Sequence, residues 1–409
     1  MYKIPRHLAW LSIWRRKTRS LMVISMIALS LSGLLGLQGL YDGMVSHLIN
    51  TTIRSDCGEI SLYAKEYRLN KSLDDTLTPL SKFENAFSKI KEIDTYAIRL
   101  EQEGLIATAH KSRGAILKGI SLEDEENFGQ LSAFITQGRY SFGKEDKGAL
   151  IGLTLAKKFN LTINSRVIFT AQDSLGEINS ISFRISGILK TGNPSIDENT
   201  LFISMHPMSK FLNLKSTATQ IALRVGNTED IENVQNALKK ILPNSDVLRW
   251  DELYPLLIQM KEWMNIFNFA SYLIVFIVAS LGIFGVMLVS VLERMREFSI
   301  MLAIGTPYNI VKNQILLEAF YLGSIGFSAG SFLGWIFLFY MSTAGIDMRS
   351  FEAGLEMYGY SAVMYANIDI YYFFQAFLAL FFAILLSVIW PLRILKKVKP
   401  IQVIQGKML

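Results

Sequence analysis

LERMREFSIMLAIGTPYNIVKNQILLEAF, Leu292 to Phe320, is the stretch on which the reading of this chain turns. It opens on a charge cluster, Glu293, Arg294, Arg296 and Glu297. Phe298, Met301, Leu302 and Gly305 then recur at helical spacing, and Ile300 and Ile304 widen the apolar side. Gly305 suits the position just past a helix end. Thr306 suits an N-cap, and Pro307 suits the first position of the helix that follows. The spacing therefore predicts a short helix bounded by its own stop and start signals. Long apolar windows flank it on both sides, so a charged, half-apolar helix stands between two membrane spans.

Working outward, four windows carry no charged residue: Ser20–Tyr41, Trp263–Leu292, Ala319–Ile346 and Ile370–Leu392. Each reaches the roughly 20 apolar helical residues that a bilayer core requires. Lys3, Arg6, Arg15, Arg16, Lys17 and Arg19 precede the first window, and Arg393, Lys396, Lys397 and Lys399 follow the last. That bias predicts cytoplasmic termini, with the connection around Arg294 and Arg296 also inside. The segment from about Asp42 to Glu262 and the loop Asp347–Asp369 then lie outside. The first apolar run is too long for a signal-peptide core and no A-x-A-like site follows, so an uncleaved anchor is expected.

Composition fits a few spans plus a sizeable soluble domain. The 409 residues are 51% hydrophobic with a formal net charge of +6, and the mean hydropathy is +0.30. The basic residues crowd beside apolar runs, which points to membrane topology and away from nucleic acid. The single cysteine, Cys57, excludes an intrachain disulfide, and four histidines make a metal site improbable.

The segment between the first two spans reads as mixed α/β, with room for two lobes. Short β-rich runs recur: EISLY, GLIATA, GAILKGI, GALIG, RVIFT, ISFRISGIL, TLFIS and IALRV. Helical runs are expected at Asp75–Ile93, Leu153–Phe159 and Thr228–Ile241, the last capped by Thr228. DSLGEIN is a hairpin turn between two strands. GRYSFGKE, Gly138–Glu145, nearly matches a phosphate loop, but Glu145 stands where the magnesium-binding hydroxyl belongs. No nucleophile elbow or zinc-helix motif occurs. Glu123, Asp124, Glu125 and Glu126 read as a solvated acidic turn. Glu318 falls near the inner edge of the third span, close enough to the interface to stay hydrated.

From physics alone, the helix after the second span either lies in the lipid headgroups or docks into a cytosolic partner. The residues themselves add a resemblance. Glu293, Arg294, Arg296, Glu297, Ala303, Ile304, Gly305, Glu318 and Ala319 match the E-R-x-R-E and E-[AS] pattern of the FtsX-like permease family of ABC transporters. Phe298 and Ser299 depart slightly from it. The ending PLRILKKVKPIQVIQGKML resembles the family's C-terminus through Pro391, Arg393, Pro400, Ile401 and Ile404, with Leu395 in place of a usual alanine. GALIGLTLAKKFNLTINSRVIF and FRISGILKTGNPSIDENTLFIS are similar to stretches of the family's external domain.

The resemblance implies an α-helical membrane protein with four transmembrane helices and a large α/β extracytoplasmic domain between the first and second. The expected partition is 1–45 for the N-terminus and first span, 46–262 for the α/β domain and 263–292 for the second span. Residues 293–306 form a coupling helix, 307–346 the third span, 347–369 an external loop, 370–395 the fourth span and 396–409 a tail. The subgroup implied is the lipoprotein-releasing or the macrolide-exporter type, in the bacterial inner membrane. Macrolide exporters carry a fused N-terminal ATPase, and none is expected here because the first span begins near residue 20. Such permeases work in pairs, homo- or heterodimeric, with separate ATPase subunits that hold the ATP and magnesium. This chain is expected to bind no cofactor and to catalyse no covalent chemistry.

The coupling residues implied are Glu293, Arg294, Arg296, Glu297, Met301, Ala303, Ile304 and Gly305. Lipoprotein release is the first functional reading, with a periplasmic carrier left open because the hairpin between Arg166 and Ile188 is short. Drug or peptide export and signalling to a cell-wall hydrolase are the alternatives. Apolar stripes also run past the charge-free windows, through Leu40, Met44 and Leu48 and through Leu257, Met260, Met264 and Phe267. They either pack on each other or line a cleft for acyl chains.

Overall fold

The computed structural model describes residues 3–15, 17–351, 354, 360 and 363–397. Arg16, Lys399, Pro400, Ile401 and Ile404, to which the sequence assigns orientation or resemblance, lie outside the described residues. The chain divides into two compact units, one gathering the long apolar helices and one comprising Val45–Gln259 with a short later segment.

The chain starts with α1 (Lys3–Arg15) and the long α2 (Lys17–Thr52), which continues as a π-turn, Ile53–Cys57. The α/β unit follows. Its strands are β1 (Ile60–Ala64), β2 (Ile93–Ala107), β3 (Ser112–Ile120), β4 (Ile135–Gly138), β5 (Gly148–Gly152), β6 (Arg166–Gln172), β7 (Ile178–Leu189), β8 (Thr200–Ser204), β9 (Gln220–Val225) and β10 (Ser245–Arg249). Its helices are α3 (Tyr67–Asn70), α4 (Leu80–Phe87), α5 (Leu122–Gly129), α6 (Leu153–Phe159), α7 (Pro194–Asn199), α8 (Met205–Phe211), α9 (Ile231–Ile241) and α10 (Trp250–Leu253).

All ten strands join one mixed sheet in the order β10-β1-β9-β2-β3-β8-β5-β7-β4, with β6 bridging β2 and β7. The 15-residue β2 is the spine of the unit. Its first half, through Arg99, pairs with β9, and its second half, from Leu100, pairs with β3. Two cores form on either side of that change of partner. One packs Ile60, Leu62, Phe83, Leu223, Val234 and Leu238. The other packs Leu100, Leu117, Leu155, Phe169, Ile185 and Leu201. The unit is thus two lobes threaded on one strand.

Each of the eight β-rich runs noted in the sequence falls in or overlaps a strand, GLIATA overrunning the end of β2 by Thr108 and Ala109 and EISLY starting one residue before β1, because each alternates or buries branched and aromatic side chains. The helices differ more. The helix expected at Asp75–Ile93 is confined to Leu80–Phe87. Leu77 instead bridges Ala218, and Pro79 keeps Thr78 out of helical geometry. Thr228 opens a 3₁₀ turn ending at Asp230, and α9 itself starts at Ile231, so Thr228 does not cap it.

The remaining helices are α11 (Pro255–Glu293), α12 (Met295–Ala303), α13 (Tyr308–Thr343) and α14 (Ile370–Lys397). A small antiparallel pair, β11 (Ile346–Asp347) with β12 (Val363–Met364), lies between the last two. By length and composition, α2, α11, α13 and α14 are four helices able to cross a membrane. Gly326, Gly330 and Gly334 of α13 face α2, and a methyl group at Gly330 would lie 3.0 Å from the Cα and carbonyl of Ala28. Glycines at four-residue spacing let these two helices approach closely, a common device where lipid supplies no hydrophobic drive. Val23, Ile27, Ile283, Met287, Ile315 and Leu322 form the core of this helical unit near α12.

Candidate functional site

The second span ends at Glu293 because Arg294 leaves helical geometry, with φ −100° and ψ 11°. A new helix, α12, then runs to Ala303. Its stop is built as the sequence suggests. Gly305 takes φ +94°, a left-handed value that costs glycine little. The Gly305 N–H donates to Leu302 O at 3.2 Å and the Thr306 N–H to Met301 O at 3.0 Å, a Schellman pair that satisfies the last carbonyls. The start of α13 differs from expectation by one residue. Pro307 is the N-cap residue and Tyr308 the first helical one, so the Thr306 side chain caps nothing.

One side of α12 is sunk into the helical core. Met295, Phe298 and Ser299 are buried, with Met301 and Leu302 partly so. The opposite side carries Arg296, Glu297, Ala303 and Gly305 exposed, and with them two branched apolar side chains, Ile300 at 46% and Ile304 at 77% exposure. The eight expected coupling residues therefore separate. Arg296, Glu297, Ala303, Ile304 and Gly305 face out, whereas Met301 is half-buried in packing. Ile300 joins the outward set.

Glu293 and Arg294 are engaged within the chain. Arg294 lies over the Phe298 ring at 4.9 Å, and reaches Glu297 at 3.2 Å and Glu318 at 3.3 Å. The Ser290 hydroxyl donates to the other Glu318 oxygen at 3.2 Å. Arg19 donates to both carboxylate oxygens of Glu293, at 3.1 and 3.3 Å. Glu318 is drawn inward from the interface position that the sequence suggests, onto partners within the chain. It is buried at 6% exposure, and Arg294 and Ser290 donate to its carboxylate.

The α/β unit holds a second polar assembly, which no sequence motif marks. Where β2 changes partner, Arg99 is 1% exposed. Its Nε and Nη2 donate to the two oxygens of Glu125 at 2.5 and 2.8 Å. Its Nη1 donates to the Asp56 backbone carbonyl, and its guanidinium lies over the Phe128 ring at 5.1 Å. Lys118 of β3 meets Asp56 and Glu101, each at 2.6 Å. Tyr254 donates to the remaining Asp56 oxygen. The hub thus ties the π-turn after α2 and the residue before α11 to the junction of the two lobes.

This corrects the reading of Glu123–Glu126 as a solvated turn. These residues belong to α5, capped by Ser121, whose hydroxyl accepts from Asp124 N at 3.3 Å. Glu125 faces inward onto Arg99, and Glu126 accepts from Ser132. A partial signal was present: Arg99 sits between Ile98 and Leu100 and Lys118 between Leu117 and Gly119, and a cation buried among such neighbours requires a buried anion. Burial alone would lower the pKa of Lys118, but Asp56 and Glu101 outweigh it and hold the ammonium above its ordinary value. A raised lysine pKa means that this contribution to stability is full below the ordinary value. It is lost only as the pH rises through the folded one.

The apolar stripes do not share one environment. Leu48 and Leu257 are buried, Leu40, Met44, Met260 and Met264 half-buried, and Phe267 64% exposed. Gly138–Glu145 carries only a short, irregular 3₁₀ turn at Lys144–Asp146, with no helix to present backbone amides to phosphate.

Comparison with known families closes the case for kinship. The MacB-like periplasmic core domain matches residues 20–241, and the FtsX-like permease C-terminal family matches residues 269–400. The chain belongs to the MacB/FtsX-like family of ABC transporter permeases. Among relatives of this permease, the macrolide export ATP-binding/permease protein MacB of Escherichia coli is 22% identical over 286 residues, covering 68% of this chain and 43% of that protein. An uncharacterized ABC transporter permease of Methanocaldococcus jannaschii is 22% identical over 342 residues, covering 80% of this chain and 81% of that one. The periplasmic region of MacB from Actinobacillus actinomycetemcomitans aligns with 50% of this chain and 95% of its own, at 15% identity and a TM-score of 0.36. The permease therefore spans less than half the length of the Escherichia coli protein.

Proposed function

We propose that this permease couples ATP hydrolysis in a separate ATPase subunit to rearrangement of its α/β domain, without covalent chemistry of its own. One observation carries the reading. The helix α12 is bounded at both ends, anchored by Phe298, and presents Ile300 and Ile304 to the outside just beyond the second span. An exposed pair of branched apolar side chains on a rigid, charged helix suits a cleft in a protein partner. ATP and magnesium would sit in that partner. The basic flanks of the spans support an inner-membrane placement with both termini and α12 cytoplasmic. A second permease of the same kind, identical or different, would complete the assembly.

For the cargo, the FRISGILKTGNPSIDENTLFIS resemblance supports release of lipoproteins from the membrane. The relatives named for macrolide export favour a second reading, expulsion of a small amphiphile from the far side. Both place cargo against the half-buried Met44 and Met264. Photo-crosslinking from these two positions to a lipidated protein or to a macrolide distinguishes them, and crosslinks to permease helices alone would discard both.

Docking itself is tested by Ile304→Asp. The side chain is 77% exposed, so the chain should insert and fold as before. ATP turnover of the assembled complex should lose its dependence on cargo, and a cysteine at 304 should crosslink to the ATPase. Cargo-stimulated turnover at the unsubstituted level in Ile304→Asp would sink the docking role.

A further inference from the structure

Beside α12 the helical unit carries an open-mouthed cavity of about 310 Å³, walled by α1, the start of α2, the end of α11, Arg294, α12 and α13. That volume lies at the small end of the roughly 300–1,000 Å³ typical of ligand pockets. Among the described residues its polar wall carries Arg15, Arg19 and Arg294 and the glutamates Glu293, Glu297 and Glu318. Its apolar wall includes Leu11 and Leu322.

The position of the cavity indicates what reaches it. Arg19 immediately precedes the charge-free window of the first span and Glu293 immediately follows that of the second, so the cavity sits at the polar boundary of one leaflet. The helix α1 exposes Trp10, Leu11 and Trp14 on one face, at 44%, 50% and 54%. Trp10 also meets the Tyr321 ring of α13 edge-on, at 5.8 Å. Tryptophans on a basic helix are the usual anchors at the headgroup level.

The charges then select the headgroup. Arg15 is the most open of the six: its side chain is 77% exposed, and its ion-pair partner Glu297 is 3.8 Å away, beyond hydrogen-bond range. A guanidinium in that state suits a phosphate. Among the described lining residues each arginine is matched by a glutamate, so a zwitterion, which brings one charge of each sign, meets both kinds of partner, whereas an anionic headgroup leaves the glutamates unanswered. A primary ammonium can donate to Glu293 and Glu297; a quaternary one cannot.

We propose that this cavity binds the headgroup of a phosphoethanolamine lipid, with the phosphate on Arg15 and Arg19 and the ammonium on the glutamates. The inference rests on the four helices crossing a membrane and is independent of ATPase docking, since its readout needs no ATP.

The test uses the full chain, with whatever subunits copurify, in nanodiscs containing equal parts of phosphatidylethanolamine, phosphatidylcholine and phosphatidylglycerol. Lipid retained after release is counted by native mass spectrometry. Phosphatidylethanolamine should be retained about fivefold over the other two, the weight of roughly one exposed charge pair. Arg15→Glu should abolish that preference and Arg15→Lys should keep it. Arg15→Gln serves as a second loss variant if Arg15→Glu does not assemble. Equal retention of the three lipids, a preference for phosphatidylglycerol, or an unchanged preference in the loss variants would each overturn the proposal.

Discussion

Two charge assemblies in this permease use the same residue types in opposite settings. The hub of the α/β unit holds Asp56, Arg99, Glu101, Lys118 and Glu125 almost dry, with Arg99 at 1% side-chain exposure. The set around α12 is graded: Glu318 is 7% exposed, Arg294 17%, Arg19 34%, Glu297 52% and Arg15 77%. Burial makes the first a fixed structural joint, because no member can lose its partner without leaving a charge in a low dielectric. Exposure makes the second adjustable, since water can replace each outer pair at little cost. A joint fits the junction of two lobes, and an adjustable set fits the surroundings of a helix proposed to dock.

Breaking the hub should therefore have the largest effect. Glu125→Leu strands the Arg99 guanidinium, and a broken buried pair costs about 3–5 kcal/mol. Hydrogen exchange on the full chain should show lost protection along β2 and β3, while α13 stays protected. Unchanged protection of β2 would mean that the hub is not a joint.

An intermediate effect is expected from Glu318→Ala. It removes a carboxylate facing Arg294 and the Ser290 hydroxyl, and a polar group left without its partner costs about 1–3 kcal/mol. Thermal unfolding of the complex should shift down by less than in Glu125→Leu. A shift as large as that of Glu125→Leu would erase the distinction between the two assemblies.

The smallest effect should come from Arg19→Ala, which breaks a solvated pair with Glu293 worth about 0–1 kcal/mol. What stabilisation there is should fade with added salt, since exposed charges are screened. A salt-independent loss above that range would show the pair to be buried in the working assembly.

The positions of the spans and of α12 were legible in the sequence because their signals are local. Charge-free windows, a glycine stop and a proline start depend on residues a few places apart. The β-rich runs were legible for the same reason, through the side-chain period of a strand. The short helices were less so: Leu80–Phe87 was overextended because Leu77 is claimed by a bridge to Ala218, far along the chain.

For the hub, the flanks of Arg99 and Lys118 hinted at buried cations, but which anions meet them was not legible. Its members stand up to 69 residues apart along the chain, from Asp56 to Glu125, with Tyr254 further still. Four adjacent acidic residues look alike until a helix turns one of them inward. The same holds for Glu318, whose place near a span edge is local information but whose partners Arg294 and Ser290 come from a different helix.

Local signals in the chain thus marked four helices long and apolar enough to cross a membrane, the α/β class of the inserted domain, the bounded helix after the second of them and the family resemblance. Only the tertiary structure decided which charges are joints and which are surface. It also decided that α12 is held by Phe298 while Ile300 and Ile304 face out, and that β2 threads two lobes. The physical reason is one of range. Helix ends and strand periods are set by neighbours along the chain, whereas the worth of a charge is set by how much water its distant partners leave around it.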